Sequence, residues 1–342
     1  VTPLPVVLVG YGRMGRVHGL SSRHHRHDME VVAVVDPSDG ARRQASMDLG
    51  DHLETYTDLD GCLPRHEGAA CLVACPTNLH ADVVRTALSA GRSVFCEKPL
   101  TLDQAESAAL RDLAERRELV LQTGFYRRHS PAWRAARDAV RGGAIGRPVL
   151  LRLSQWDAEA PDAGALDAGV GGGLIVDFGV HEFDLLQWLT GDSVEFVQSL
   201  GRTAEGRTAP AGPIEHCVVM AELSHGTLGV VDLGTGVGYG DDVRGEIVGT
   251  CGRLFVETLP HGRVTLGDAG GLRPLELPPS EEADVFADAV IREQQAFAAA
   301  VGRGEPASPD AGDSIRAMLI AEAATRSLER GGTRLRVADV AG

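Results

Sequence analysis

Lysine is almost absent from this chain. Among 342 residues there are 33 Lys and Arg, and Lys98 is the single lysine. Cysteine is scarce as well: six residues with no C-x-x-C pair among them, which excludes a disulfide framework and a cysteine-based zinc site. His24-His25-Arg26-His27 has no spaced carboxylate or cysteine beside it and reads as a solvated loop, so no metal is expected. No apolar run approaches the roughly 20 residues of a membrane helix. Val1-Thr2-Pro3-Leu4-Pro5 lacks the charged segment and cleavage site of a signal peptide, and the expected location is cytoplasmic. Positive charge is also short. A net charge of −15 argues against nucleic acid and anionic membranes as partners.

The one lysine stands in Glu97-Lys98-Pro99. Arginine stays protonated at any accessible pH and presents a flat fork, whereas lysine is a compact donor that can share its proton. A site that needs the second property cannot use arginine. Ser93-Val94-Phe95-Cys96 reads as a buried strand, so Lys98 falls just past a strand's carboxyl end, where open α/β sheets bind ligands.

The surrounding pattern is that of a doubly wound parallel sheet. Val6 to Val9 is an unbroken apolar run leading into Gly10-Tyr11-Gly12-Arg13-Met14-Gly15, a complete G-x-G-x-x-G, and then a helix to about Ser22. The first glycine permits a tight turn, the second admits a pyrophosphate to the backbone, and the third lets helix and strand approach. A second strand, Glu30 to Val35, ends at Asp36, 21 residues after Gly15, close to the spacing of a ribose-binding carboxylate. Such a carboxylate favours NAD and repels the 2′-phosphate of NADP, and Pro37 follows rather than arginine. Arg42 and Arg43 keep NADP as the less favoured cofactor. Alternation continues through strand 69–74, the turn Cys75-Pro76-Thr77-Asn78, a helix to Ala90, the Lys98 strand, a helix from Leu102 to Arg117 and a strand at 119–122. The dinucleotide-binding domain is thus expected to span residues 1–124.

Residues 125–342 form the second expected domain. Helices are predicted at Pro131–Arg141, Asp177–Leu189, Glu281–Val301 and Asp310–Arg330, with a possible last strand at Thr333–Val337. Between Val194 and about Leu266 the chain reads as strands separated by Gly-rich turns, hence an open, mostly antiparallel sheet within an α+β domain. Behind Gly171-Gly172-Gly173, Asp177 and His181 are four apart and share a face if helical. An imidazole beside a carboxylate suits proton transfer. The competing reading is an Asp cap and a core histidine.

These pieces together resemble the glucose–fructose oxidoreductase/inositol dehydrogenase (Gfo/Idh/MocA) family over nearly the whole chain. The matching residues are Gly10–Gly15, Asp36, Pro76-Thr77-Asn78 with His80, Glu97-Lys98-Pro99, Gly124-Phe125 with Arg127-Arg128, and Asp177 through His181. The resemblance implies hydride transfer at a secondary alcohol of a ring-shaped polyol or sugar, and a second-domain sheet that builds homodimers or homotetramers. Carried over residue by residue, it makes His181 the general base, Asp177 its orienting or substrate-binding partner, and Lys98 the donor to the reacting oxygen. It assigns the cofactor to Gly10, Gly12, Arg13, Met14, Gly15, Asp36, Pro76, Thr77, Asn78, His80, Glu97 and Lys98. Arg127, Asp157 and Tyr239 become pocket positions nearest the inositol 2-dehydrogenase branch, where Tyr126 replaces a smaller residue such as Met. The other readings are a dehydrogenase of an amino sugar or aminoglycoside, an NAD-dependent glycosidase with transient redox, and a non-catalytic NAD sensor. The amino-sugar reading rests on seven acids (Asp157, Glu159, Asp162, Asp167, Asp177, Glu182, Asp184) against one base, Arg152, between Leu151 and Thr190.

Overall fold

The computed structural model describes residues 2–25, 27–50, 53–159, 170–203, 214–238, 240–259, 262–278 and 284–340. They divide into two compact units, Val1–Tyr126 with Ala289–Ile315, and Arg127–Asp288 with Arg316–Gly342.

The first unit is built on six parallel strands: β1 (Leu4–Val9), β2 (Met29–Val35), β3 (Glu54–Tyr56), β4 (Ala70–Val73), β5 (Val94–Glu97) and β6 (Leu121–Gly124). Their order is β3-β2-β1-β4-β5-β6, so the direction of winding reverses between β1 and β4. The apolar runs alternate between two cores, as a sheet covered on both faces requires. Val7, Val9, Cys71, Val73 and Val94 enter one core, with Val84 and Leu88 of α4 (His80–Ser89) and Leu110 of α5 (Gln104–Arg116). Val6, Leu8, Leu72 and Phe95 enter the other. The helices before α4 are α1 (Arg13–Ser22), α2 (Asp39–Leu49) and α3 (Leu59–Cys62). Ser38 caps α2 by accepting from the Ala41 N–H, and Asp103 caps α5 by accepting from the Glu106 N–H.

The second core is completed by a late segment. Phe297 and Ala298, far along the chain, pack with Phe95 of β5, the two rings meeting edge to face at 5.9 Å. Residues 289–315 therefore belong to the first unit, whereas the sequence pattern assigns everything after residue 124 to the second. The cause is long-range. A helix near the chain's end carries the apolar cover that β5 lacks.

The second unit is a nine-stranded sheet ordered β14-β13-β12-β11-β7-β10-β9-β8-β15. Its strands are β7 (Pro148–Asp157), β8 (Val194–Arg202), β9 (His216–Leu223), β10 (Leu228–Thr235), β11 (Asp242–Gly249), β12 (Arg253–Leu259), β13 (Arg263–Asp268), β14 (Gly271–Pro274) and β15 (Leu335–Arg336). Among the described residues only β7 and β10 run parallel; the other pairs are antiparallel. Among the described residues the remaining helices are α6 (Pro131–Arg141), α7 (Gly173–Asp177), α8 (Gly179–Thr190), α9 (Val285–Arg303) and α10 (Ala311–Glu329). β9 alternates strictly, with Cys217, Val219, Ala221 and Leu223 buried and Val218, Met220 and Glu222 exposed. One face of the sheet therefore meets α8 and the other is open. Helix α8 ends at Gly191, whose φ of +76° lies in the left-handed region.

Candidate active site

In the first unit the expected cofactor residues gather at the carboxyl edge of the sheet, at the switch between β1 and β4. A Cβ on Gly10 (φ +89°) would lie 2.7 Å from the Cys75 backbone, and one on Gly15 would lie 2.0 Å from the Gly10 carbonyl oxygen. Both positions are glycine because backbone approaches backbone. Gly12, by contrast, caps α1, and a Cβ placed there would meet nothing within 4 Å. Open space before a helix N-terminus whose first turn carries no acid is what a pyrophosphate needs. Arg13 is exposed and Met14 half-buried beside it.

Asp36 follows β2. Its carboxylate accepts from the Tyr11 N–H at 2.8 Å and from the Ser38 N–H at 2.8 Å, which fixes it beside the glycine turn. Arg42 donates to the Asp36 carbonyl at 2.6 Å and pairs with Asp39, and Arg43 also pairs with Asp39. The two arginines that kept NADP open are thus engaged by a neighbouring carboxylate. The residues fit NAD.

Pro76, Thr77 and Asn78 form the turn after β4, with Pro76 and Asn78 exposed. His80 departs from expectation. It is 1% exposed, with Nδ1 2.9 Å from the Pro99 carbonyl and Nε2 3.0 Å from the Cys75 carbonyl. Burial lowers its pKa against the opposing pull of those two bonds. Its ring lies between the carbonyls of two loops.

The Lys98 loop is braced on three sides. The Lys98 N–H donates to Glu97 Oε2 at 3.1 Å, the Pro99 carbonyl meets His80, and the Leu100 N–H donates to Ser314 Oγ at 3.0 Å. Lys98 itself is half-buried, while Glu97 is buried. Tyr126, half-buried, opens a short 3-10 turn, Tyr126–His129.

In the second unit, Asp177 is the last residue of α7 and His181 lies in the first turn of α8, with Phe178 between the two helices. The sequence pattern starts the helix at Asp177. The structure places a helical turn before it, because Leu174, Ile175 and Val176 are all buried, so Asp177 is not a cap. Phe178 keeps a right-handed helical backbone (φ −95°, ψ −50°), so the i, i+4 relation between Asp177 and His181 survives the break. Asp177 is half-buried and His181 6% exposed.

Arg127 is the second departure. It is 2% exposed, pairs with Glu182, and donates to Gln155 Oε1 at 2.7 Å. Gln155 in turn donates to Asp157 Oδ1 at 3.2 Å. Arg127 thus braces the end of β7, where Asp157 stands half-buried. Burial, with Asp232 and Asp157 nearby, pushes the Glu182 carboxyl up to about 7 despite Arg127. Arg128 likewise pairs with Asp184 and is 8% exposed. Two of the seven acids that suggested a cationic rim are therefore buried ion pairs. Asp162, Asp167 and Tyr239 lie outside the described residues, and Glu159 is exposed.

The residues that sequence reasoning passes over are His18, Gln294 and Glu293. All three are buried, and the first two hydrogen-bond in the neighbourhood of Glu97. A histidine five residues into a helix gives no signal of its partner 276 positions away. Among the described residues, no cluster of three His, Cys, Asp or Glu could hold a metal ion. No helix among them is long and apolar enough to cross a membrane.

A Rossmann sheet with a complete fingerprint and a fixed acidic residue after β2 defines an NAD-binding protein, and residues 4–125 match the oxidoreductase family with an NAD-binding Rossmann fold. Residues 133–255 match the GFO/IDH/MocA C-terminal domain. The chain belongs to the GFO/IDH/MocA oxidoreductase family. The rhizopine catabolism protein MocA of Rhizobium meliloti is 34% identical over 94% of this chain and 94% of its own length. A myo-inositol 2-dehydrogenase of Thermotoga maritima is 30% identical over 94% of this chain and 95% of its own. The crystal structure of scyllo-inositol dehydrogenase from Lactobacillus casei, with bound NAD(H) and scyllo-inositol, matches with a TM-score of 0.83 at 26% identity. That match covers 98% of this chain and 99% of the other.

Proposed function

We propose that this protein oxidises a secondary ring hydroxyl of a cyclic polyol or sugar, of the inositol kind, to a ketone. NAD, when bound, supplies the acceptor for the hydride that leaves the carbinol carbon. The observation that carries the reading is the chain's single lysine, braced at the carboxyl end of β5 on the same sheet edge as the dinucleotide turn. Its relatives by sequence include a myo-inositol 2-dehydrogenase and a scyllo-inositol 2-dehydrogenase.

Each residue then has a part. His181 accepts the proton of the reacting hydroxyl, and Asp177 binds substrate or orients the imidazole. Lys98 donates a hydrogen bond to the reacting oxygen and stabilises the negative charge that grows there. Gly12 and the α1 N-terminus receive the pyrophosphate, with Arg13, Met14, Pro76, Thr77 and Asn78 along the same edge. Asp36 holds the ribose. Asp157 and Tyr126 are the pocket positions.

NADH formation, followed by the absorbance of the reduced nicotinamide, over a panel of inositols, sugars, amino sugars and glycosides tests this. Turnover of inositols with stoichiometric NADH supports it. Glycoside cleavage without net NADH would give the glycosidase reading instead, and NAD binding with no turnover of any kind the sensor. The amino-sugar reading loses support from the burial of Glu182 and Asp184 with their arginines.

The open sheet face suits a homo-oligomer, dimer or tetramer. It exposes Leu200, Val218, Met220 and Leu228, with a groove at Phe196, Met220, Leu228 and Arg334. Contiguous apolar surface of that kind marks association. Sedimentation velocity giving a monomer at micromolar concentration would overturn this part.

A further inference from the structure

Behind Lys98 lies a buried relay whose proton positions are set by one carbonyl group. Gln294 Nε2 is 3.0 Å from the His18 carbonyl oxygen, which can only accept, so this end of the amide must be the NH2. Its second hydrogen faces His18 Nδ1 at 2.9 Å. Nδ1 is therefore the lone-pair nitrogen, and the ring proton sits on Nε2. That nitrogen lies 2.6 Å from Glu97 Oε1 and donates to it. The other Glu97 oxygen accepts from the Lys98 N–H. At the far end, Gln294 Oε1 lies 2.7 Å from His25 Nε2, which must then carry its proton there. Two histidine tautomers follow from the His18 carbonyl.

We propose that Glu97 is a positioning residue for Lys98, its carboxylate set in place by neutral His18 and, through that ring, by Gln294. The chemistry lies in the neutrality of the histidine. An imidazolium would cancel the carboxylate's charge. A neutral N–H donor fixes the carboxylate and leaves its charge to act on Lys98, the nearest cation in sequence. Burial alone would raise the Glu97 pKa, but the His18 hydrogen bond, the charges beside it and the Lys98 N–H hold it below the ordinary value. The other titratable groups around Glu97 are His80 from α4, Cys96 of β5 and Glu293 from α9. Glu293 is buried, its Oε1 has no hydrogen-bond partner, and burial together with Glu97 raises its pKa well above the ordinary value. That shift favours its neutral form, which leaves Glu97 as the negative charge of the group. The relay also explains why residues 289–315 return to the first unit: Gln294 reads the His18 backbone and both rings.

The proposal rests on the reading that Lys98 acts at the reacting oxygen, and two measurements separate the two. Glu97→Gln keeps the shape and still accepts from His18, but sets an NH2 against the Lys98 N–H and removes the charge. Hydrogen-bond partners one shell behind metal ligands are worth about 10–100-fold, and a similar fall in kcat on myo-inositol is expected here. A merely structural Glu97 would lower the melting temperature and leave kcat within twofold, which would overturn the proposal. Independently of any substrate, 15N NMR of histidine-labelled wild-type protein, assigned with His18→Gln, should show His18 protonated at Nε2 and bare at Nδ1. A proton on Nδ1, alone or together with Nε2, would overturn the relay even if inositols turn over. If no polyol or sugar turns over but the tautomer is as stated, the reaction assignment fails and the relay stands.

Discussion

Replacing Lys98 by arginine keeps the positive charge and changes everything else that matters at that position. The guanidinium is bulkier, and its proton cannot be shared, while the loop that presents it is pinned at Glu97, Pro99 and Leu100 and cannot back away. Lys98→Arg is expected to have less than half the wild-type kcat. His181→Ala should lose about 10²–10⁴-fold in rate, the usual cost of a missing general base, with NAD affinity near wild type by fluorescence titration. Asp36→Ser should weaken NAD and raise the relative use of NADP, because the ribose hydrogen bonds and the repulsion of the 2′-phosphate vanish together. Steady-state kinetics with both cofactors decide it, and a wild type that already prefers NADP would refute the assignment. The signals that propose these residues are local: a glycine spacing, an acid at a strand end, a lone lysine. The surroundings of Arg127 and His80 are not local. Their partners, Glu182 and Gln155 for one and two backbone carbonyls for the other, leave no trace in the neighbouring sequence.

Among the elements, the long apolar strands and amphipathic helices agree with their sequence patterns, and the short ones do not announce themselves. β14 is four residues, all exposed, and β3 is three residues without a buried one, so neither offers an apolar period to read. The Tyr126–His129 turn carries a quieter feature. His129 is 4% exposed and neither ring nitrogen has a hydrogen-bond partner. Burial, and then the charges of Arg134 and Arg128, lower its pKa from 6.5 to about 3. Between those values the unfolded chain binds the proton and the native one does not. The stability gained from the neutral ring is full above pH 6.5 and is lost as pH falls toward 3. His129→Phe removes the titration. The unfolding free energy of the wild type from urea titrations should fall relative to this variant below pH 6.5, at a slope approaching about 1.4 kcal/mol per pH unit. Parallel curves for the two proteins would mean that His129 is not buried as a neutral ring.

At the scale of the whole molecule, charge and division into units carry the remaining tests. The chain is acidic throughout, at −15, and the acids between Leu151 and Thr190 include Glu182 and Asp184, which are cancelled by buried arginines. A neutral polyol needs no electrostatic steering, so kcat/KM should be flat as salt rises past about 0.15 M, where the Debye length is near 8 Å. A steep fall with salt, on an amino sugar and on no inositol, would instead favour a cationic substrate. Two units with a parallel and a mostly antiparallel sheet follow from the order of strands and helices, but the return of residues 289–315 to the first unit does not. That return depends on Phe297 meeting Phe95 and Gln294 meeting His18, contacts that no local pattern encodes.

The central claim is that a carbinol hydrogen leaves the ring as hydride. Incubating the protein with NAD and an inositol deuterated at every ring carbon, then weighing the reduced cofactor by mass spectrometry, tests it most directly. Reduced NAD should be one mass unit heavier than that formed from unlabelled inositol, matched by an equal amount of ketone, with little of either from His181→Ala. Reduced cofactor without deuterium, or none at all from any cyclic polyol or sugar, would contradict it.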